Sequence, residues 1–184
     1  MILRGVPILP ARSGGQAVGM SHYRRVWVPG GTCFFTVNLL ERRRTLLVDH
    51  IDELRSAFRT AHAARTFAVK AIVILPDHLH CLWQLPDGDA DNATRWRHIK
   101  STFSRLLPVG ERRSHRRVLK GERGIWQRRY WEHLITDEED YRRHVDYIHM
   151  NPVKHGHVLR AADWRWSSIH RCIRRGELSL DWAE

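Results

Sequence analysis

The apolar positions of this chain first fall into order between Arg24 and Leu40. There Gly30-Gly31 marks a turn, and Thr32-Cys33-Phe34-Phe35-Thr36-Val37-Asn38-Leu39 has the β-branched and aromatic content of a strand. From Leu46 to Ala64 the period changes: Leu47, Ile51, Leu54 and Phe58 line one stripe of a helix. Phe67 to Leu75 is almost continuously apolar, which predicts a second, central strand. Pro76-Asp77 breaks the run, and His78 to Leu85 forms a third strand, so the two make a hairpin. After the Asp87-Gly88-Asp89 loop, a helix starts at Asn92 or Thr94 and runs to Leu107 through Trp96, Ile99, Phe103 and Leu106. Arg95, Arg97, Lys100 and Arg105 are placed on its other faces. Trp126 to Ile135 reads as a fourth, aromatic-rich strand. Thr136 or Asp137 caps a last helix, Glu138 to His149, whose early acids suit its positive end and which Pro152 terminates. The order β-α-β-β-α-β-α predicts an α+β fold: an antiparallel sheet with helices mainly on one face, in the ferredoxin-like manner. Trp164, Trp166 and Trp182 are expected to fold back onto the body.

Length and composition narrow this picture. A chain of 184 residues supports one ordinary core, so residues 21–184 are taken as a single domain. Residues 1–20 follow no period and are too interrupted for a signal peptide. They read as a disordered leader or an over-extended start, with Met20 as an alternative first residue. No apolar run approaches the roughly 20 residues of a membrane span. Cys33, Cys81 and Cys172 lack any C-x-x-C spacing and suit small buried residues in a reducing cytoplasm. Charge changes the picture more. The net charge is +11, and between Arg95 and Arg129 twelve Lys or Arg face only Glu111 and Glu122. A field of that sign and density attracts a polyanion, most often nucleic acid. Within it, residues 108–124 form a basic loop, with Arg112-Arg113-Ser114-His115-Arg116-Arg117 too polar to pack and expected to be mobile.

Candidate chemistry begins with His78 and His80. On a strand both project from one face, roughly 7 Å apart along the backbone, which suits one divalent ion held by two neutral imidazoles. Near the end of the last helix Tyr147 and Asn151 are four residues apart, so they lie within about 40° of each other around the axis, with His144 one turn earlier. A phenolate can attack phosphorus and form a covalent phosphotyrosine. A carboxamide oxygen can be a third ligand, leaving positions for a scissile phosphate on an ion that acts as Lewis acid and template. A hard ion, Mg²⁺ or Mn²⁺, suits such a site.

The segments Leu75-Pro76-Asp77-His78-Leu79-His80, Trp126-Gln127-Arg128-Arg129-Tyr130-Trp131-Glu132-His133 and His144 to Gly156 together resemble the REP-associated tyrosine transposases. These are relatives of the single-tyrosine HUH transposases of bacterial insertion sequences. Tyr23-Arg24-Arg25, Gly30 to Asn38 and Asp163-Trp164-Arg165-Trp166-Ser167-Ser168 extend the resemblance over about residues 21–182. It implies a ferredoxin-like HUH nuclease that cuts single-stranded DNA beside a palindromic hairpin. His78 and His80 would bind the metal, Tyr147 would be the nucleophile that leaves a 5′-phosphotyrosine and a free 3′-OH, and Asn151 would stand where related transposases commonly have Gln. It also implies a bacterial, nucleoid-associated cytoplasmic protein acting as a monomer or homodimer. Arg95, Arg97, Lys100, Arg128 and Arg129 are candidate DNA contacts, and Trp96, Trp126 and Trp131, among basic residues, are candidate stacking surfaces, Trp126 foremost. Two other readings stand beside it. A histidine-triad hydrolase would need a third histidine where Leu82 stands, and a zincin would need His-Glu-x-x-His, which is absent. A domesticated hairpin-binding module would keep the DNA surface without cleavage.

Overall fold

A computed structural model describes residues 27–111, 113–179 and 182. The leader expected at residues 1–20 and the start of the first strand region lie outside the described residues. Four strands, β1 (Thr32–Asn38), β2 (Ala68–Ile74), β3 (His78–Gln84) and β4 (Trp131–Leu134), form one sheet in the order β2-β3-β1-β4. Every neighbouring pair is antiparallel, the arrangement of the ferredoxin-like βαββαβ fold. Alternation along β1 and β3 separates two cores. Cys33, Phe35 and Val37 face one side with Leu79, Cys81 and Trp83, beneath α1 (Leu46–Asp49), α2 (Ile51–Ala64) and α3 (Asn92–Leu106). Phe34 and Leu82 face the other side with Ala71 and Val73, beneath Ile148 of α5 (Glu138–Lys154). Each buried Val, Leu, Ile and Phe among these contributes about 1.5–3 kcal/mol, so both faces of the sheet are tightly held.

Several elements differ from their sequence expectation for physical reasons. The stripe from Leu46 to Ala64 is two helices, because His50 takes non-helical angles between them. β2 is an edge strand rather than a central one. Its outer rim is covered by the chain near the C-terminus: Ile74 N–H donates to the Trp166 carbonyl at 2.9 Å, Ser168 N–H to Ile72 at 2.8 Å, and Trp164 Nε1 to Ile74 at 2.9 Å. That cover explains an edge strand as apolar as a central one. Trp164 and Trp166 therefore fold back as expected, and Trp182 lies edge-on to His149. The fourth strand is short, and Trp126 only bridges to Leu39. The basic segment is more ordered than its composition implies. It carries a short helix α4 (His115–Leu119), and Arg123 donates to the carbonyls of Ser104, Leu107 and Pro108 and to the Glu111 carboxylate. The Arg123 hydrogen bond outweighs the opposing effect of burial and holds the Glu111 carboxyl down to about 2.

Pro152 does not end the last helix; α5 runs to Lys154 with Pro152 inside it. Proline removes a single backbone donor here, and the closure beyond it is complete. Gly156, at φ +69°, donates to Val153, and His157 donates to Pro152, each at 2.9 Å. This is the left-handed glycine cap that satisfies terminal carbonyls. The extra turn carries Lys154 and His155 onto the same side of the sheet as Tyr147. Short α6 (Ile169–Arg174) follows the returning segment.

Candidate active site

His78 and His80 sit at the start of β3, on the face covered by α5, with ring centroids 5.0 Å apart. Both are buried. The His80 ring lies 5.0 Å from that of Tyr147, edge to face, so helix and strand bring the two histidines and the tyrosine together. Asn151, one turn further along α5, is buried beside them. The four residues that spacing alone selected thus converge in space.

The hydrogen bonding around them orients the two rings. His78 Nδ1 lies 2.7 Å from Asp77 Oδ1. A carboxylate can only accept, so Nδ1 carries the hydrogen and Nε2 is the ring nitrogen left to face a metal. Asp77 is held in turn by Arg42, which bonds its carboxylate and reaches Asn38 Oδ1 at 2.9 Å. Burial works to raise the Asp77 carboxyl, but the bonds to His78 and Arg42 outweigh it and hold it down to about 2. His80 Nδ1 is taken up by Thr36 Oγ1 at 2.9 Å on the neighbouring strand, the residue directly opposite it in the β1–β3 register. Burial first, then the positive fields of His78, His155 and Arg42, hold His80 well below its ordinary pKa, so its ring is neutral. Among the described residues His80 Nε2 and Asn151 Oδ1 are buried with no hydrogen-bond partner. Each such atom would cost about 1–3 kcal/mol if left unmatched. They fit the ligand set of a divalent ion: neutral imidazole nitrogen and carboxamide oxygen, with Asp77 and Thr36 behind the rings in the supporting role that metal-bound histidines require.

Burial raises the phenol of Tyr147, and a hydrogen bond from Asn151 works the other way. Lys154 places its ammonium 4.8 Å from the centre of the Tyr147 ring, a second influence favouring negative charge on the phenol oxygen. A separate group lies between β4 and the start of α5. His133, Asp140 and His144 bring their donor atoms within 4.8 Å of one another, close enough to hold a metal ion. Here they are engaged with each other. His133 Nε2 lies 2.8 Å from Asp140 Oδ2, and His144 Nδ1 lies 2.8 Å from the Asp140 carbonyl.

The candidate DNA contacts divide. Arg97, Arg128 and Arg129 are exposed. Arg97, Lys100 and Arg128 line a groove of about 620 Å³ between α3 and the segment 121–130. Lys100 reaches the Gln127 carbonyl at 2.9 Å and lies over the Tyr130 ring, and Arg128 pairs with Glu122 at 3.0 Å. Arg95 is a correction. It is 2% exposed, and its guanidinium bonds Thr66 O, Asp91 O and Asp89 Oδ2. Its position four residues before Ile99 puts it on the buried stripe, a signal present in the spacing. Trp126 is also corrected: it is buried against Phe103, lines the groove with only its rim, and has the Lys100 ammonium 5.9 Å from its ring centre. Sequence reasoning missed Arg42, Thr36 and the orienting role of Asp77. Their only signals were polar residues beside or opposite the histidine pair, and strand pairing had to be known to read them.

The chain is similar to known proteins over most of its length. A family model described as "Transposase IS200 like" matches residues 34–151. A REP-associated tyrosine transposase of Escherichia coli K12 is 46% identical over 164 residues, 89% of this chain and 92% of that protein. A relative from Haemophilus influenzae is also 46% identical, over 89% of this chain and 94% of its own. A solved structure of a REP-associated tyrosine transposase bound to a REP hairpin superposes with a TM-score of 0.78 at 46% identity, covering 90% of this chain and 92% of that one. The chain therefore belongs to the IS200-like transposases and, among them, to the REP-associated tyrosine transposases.

Proposed function

We propose that this transposase nicks and rejoins single-stranded DNA beside a palindromic hairpin, with Tyr147 as nucleophile and a divalent metal held by His78, His80 and Asn151. The observation that carries this reading is the pair of partnerless buried atoms, His80 Nε2 and Asn151 Oδ1, next to a tyrosine 5.0 Å from His80 between ring centres. Mg²⁺ or Mn²⁺ suits the site, and when bound it supplies Lewis acidity and a fixed seat for the phosphate. Asp77 and Thr36 hold the two rings in register for it. The Tyr147 oxygen gives up its proton to solvent and bonds to phosphorus, with Lys154 close to the charge that develops. The bond from phosphorus to the 3′ oxygen breaks, that oxygen takes a proton, and the products are a 5′-phosphotyrosine and a free 3′-OH. Attack on the phosphotyrosine by a 3′-OH reverses the step and rejoins the strand.

The family's solved relative holds a REP hairpin, and the exposed Arg97, Arg128 and Arg129 give this chain a basic surface for a similar stem. No helix among the described residues is long and apolar enough to cross a membrane. A labelled hairpin with a single-stranded foot, incubated with Mn²⁺, should give a covalent protein–DNA band. Chelation should abolish it. Tyr147→Phe should also abolish it while leaving hairpin affinity within about twofold, since the phenol oxygen makes no contact with the stem in this reading. Cleavage that survives Tyr147→Phe would reject the phosphotyrosine mechanism in favour of direct metal-assisted hydrolysis. Tight binding by the wild type with no band under any metal would favour the hairpin-binding module.

A further inference from the structure

Trp131 stands out on the face that carries the histidines. It opens β4, which among the described residues pairs only with β1, and is 40% exposed. The strand registers place Trp131 opposite Thr36 and Thr36 opposite His80. The three therefore form one row across the sheet, and Trp131 lies about 10 Å, two strand spacings, from His80. Behind Trp131 the rings are stacked in order. His133 lies parallel to it at 3° and 5.9 Å, and His144 lies parallel to His133 at 16° and 4.7 Å. Phe34 meets Trp131 edge-on at 5.6 Å and also touches the rings of His80 and Tyr147. Asp140 anchors both imidazoles, and the Thr136 N–H holds Asp140 at 3.1 Å. Near-parallel rings point their nitrogen lone pairs side by side rather than at one point, which favours a stacked platform over a metal centre for this group.

We propose that Trp131 is the seat on which an unpaired base, next to the phosphate being cut, stacks. The proposal rests on the reading of this chain as a hairpin-foot nuclease. A broad apolar ring held flat at an open edge is costly in water, and any base can cover it, because stacking does not depend on which base it is. Charge points to the same occupant. Arg128 and Arg129, both exposed, immediately precede the strand, and Asp140, the acid behind the stack, is already engaged by His133, His144 and the Thr136 N–H. The other two tryptophans in this basic region, Trp96 and Trp126, are buried, at 1% and 8% exposure against 40% for Trp131.

The test compares two hairpins with identical phosphates, one with a normal single-stranded foot and one whose foot is abasic, by anisotropy of a dye on the stem. Wild-type protein should prefer the normal foot by about 5- to 150-fold. Trp131→Ala should erase that preference while leaving affinity for the abasic foot unchanged, and Trp131→Phe should keep most of it. Equal loss on both DNAs in Trp131→Ala and Trp131→Phe would overturn the proposal, because Trp131 would then be supporting the fold. A preference retained by Trp131→Ala would also overturn it, placing the base elsewhere. Wild-type protein that binds the hairpins no better than plain duplex would overturn instead the reading of function on which the proposal rests.

Discussion

Asp77 shows how much a single side chain can decide. Its position before His78 looks like a turn residue, yet its carboxylate fixes which nitrogen of His78 is left for a metal. Removing such a support from a metal-binding histidine commonly costs 10–100-fold in metal affinity. Asp77→Asn should therefore weaken Mn²⁺ binding by about that factor in a direct titration, and cleavage should recover at high Mn²⁺. Unchanged Mn²⁺ affinity would mean that His78 is not oriented through Asp77. Arg95 shows the opposite case. A charged residue in a basic stretch looks like a surface contact, but its place on the buried stripe of α3 makes it structural, and its guanidinium ties the helix start to Thr66 and Asp89. The sequence reading put Arg95 and Arg97 alike off the apolar face of the helix; the structure buries the first and exposes the second.

The elements were readable where their period was unbroken. The alternation of β1 and β3, the stripe of α3 and the cap of α5 all follow from spacing. What spacing could not show is pairing between distant segments. The 164–168 segment over the rim of β2 and the Arg123 staple across residues 104–111 depend on contacts far along the chain. Arg123→Ala should release the basic segment and speed tryptic cleavage within residues 113–120 by about tenfold or more, without unfolding the sheet. At the junction of β4 and α5, burial works to raise the Asp140 carboxyl, but hydrogen bonds from His133 and the Thr136 N–H outweigh it and hold it to about 2, against 3.8 for a free carboxyl. A group depressed in the folded state stabilises fully above its unfolded value and loses that contribution as pH falls through its folded one. The stability gap between wild type and Asp140→Asn should thus be constant, at about 2 kcal/mol, above pH ~4. It should close towards pH ~2. A gap that does not change with pH would mean that Asp140 acts by shape rather than charge.

In the folded molecule one sheet keeps two roles apart. Under α2 and α3 its apolar face is a plain core, and under α5 the other face holds imidazoles, a phenol and a carboxamide within one cluster. The histidine pair was visible from the sequence, and so was its distance along the chain from Tyr147. That α5 lies across β3, so that the two meet, is a property of topology. It follows from the β2-β3-β1-β4 order and from the long helix passing over the second face. The ring stack that begins at Trp131 of β4 lies on that same face. The most direct test of the account is the chemical identity of the bond between protein and DNA. After reaction with a hairpin bearing a foot, in the presence of Mn²⁺, peptide mass spectrometry should find the DNA 5′-phosphate on the Tyr147 peptide. A phosphate linked to any other side chain, or a cut strand with no phosphopeptide at all, would contradict it.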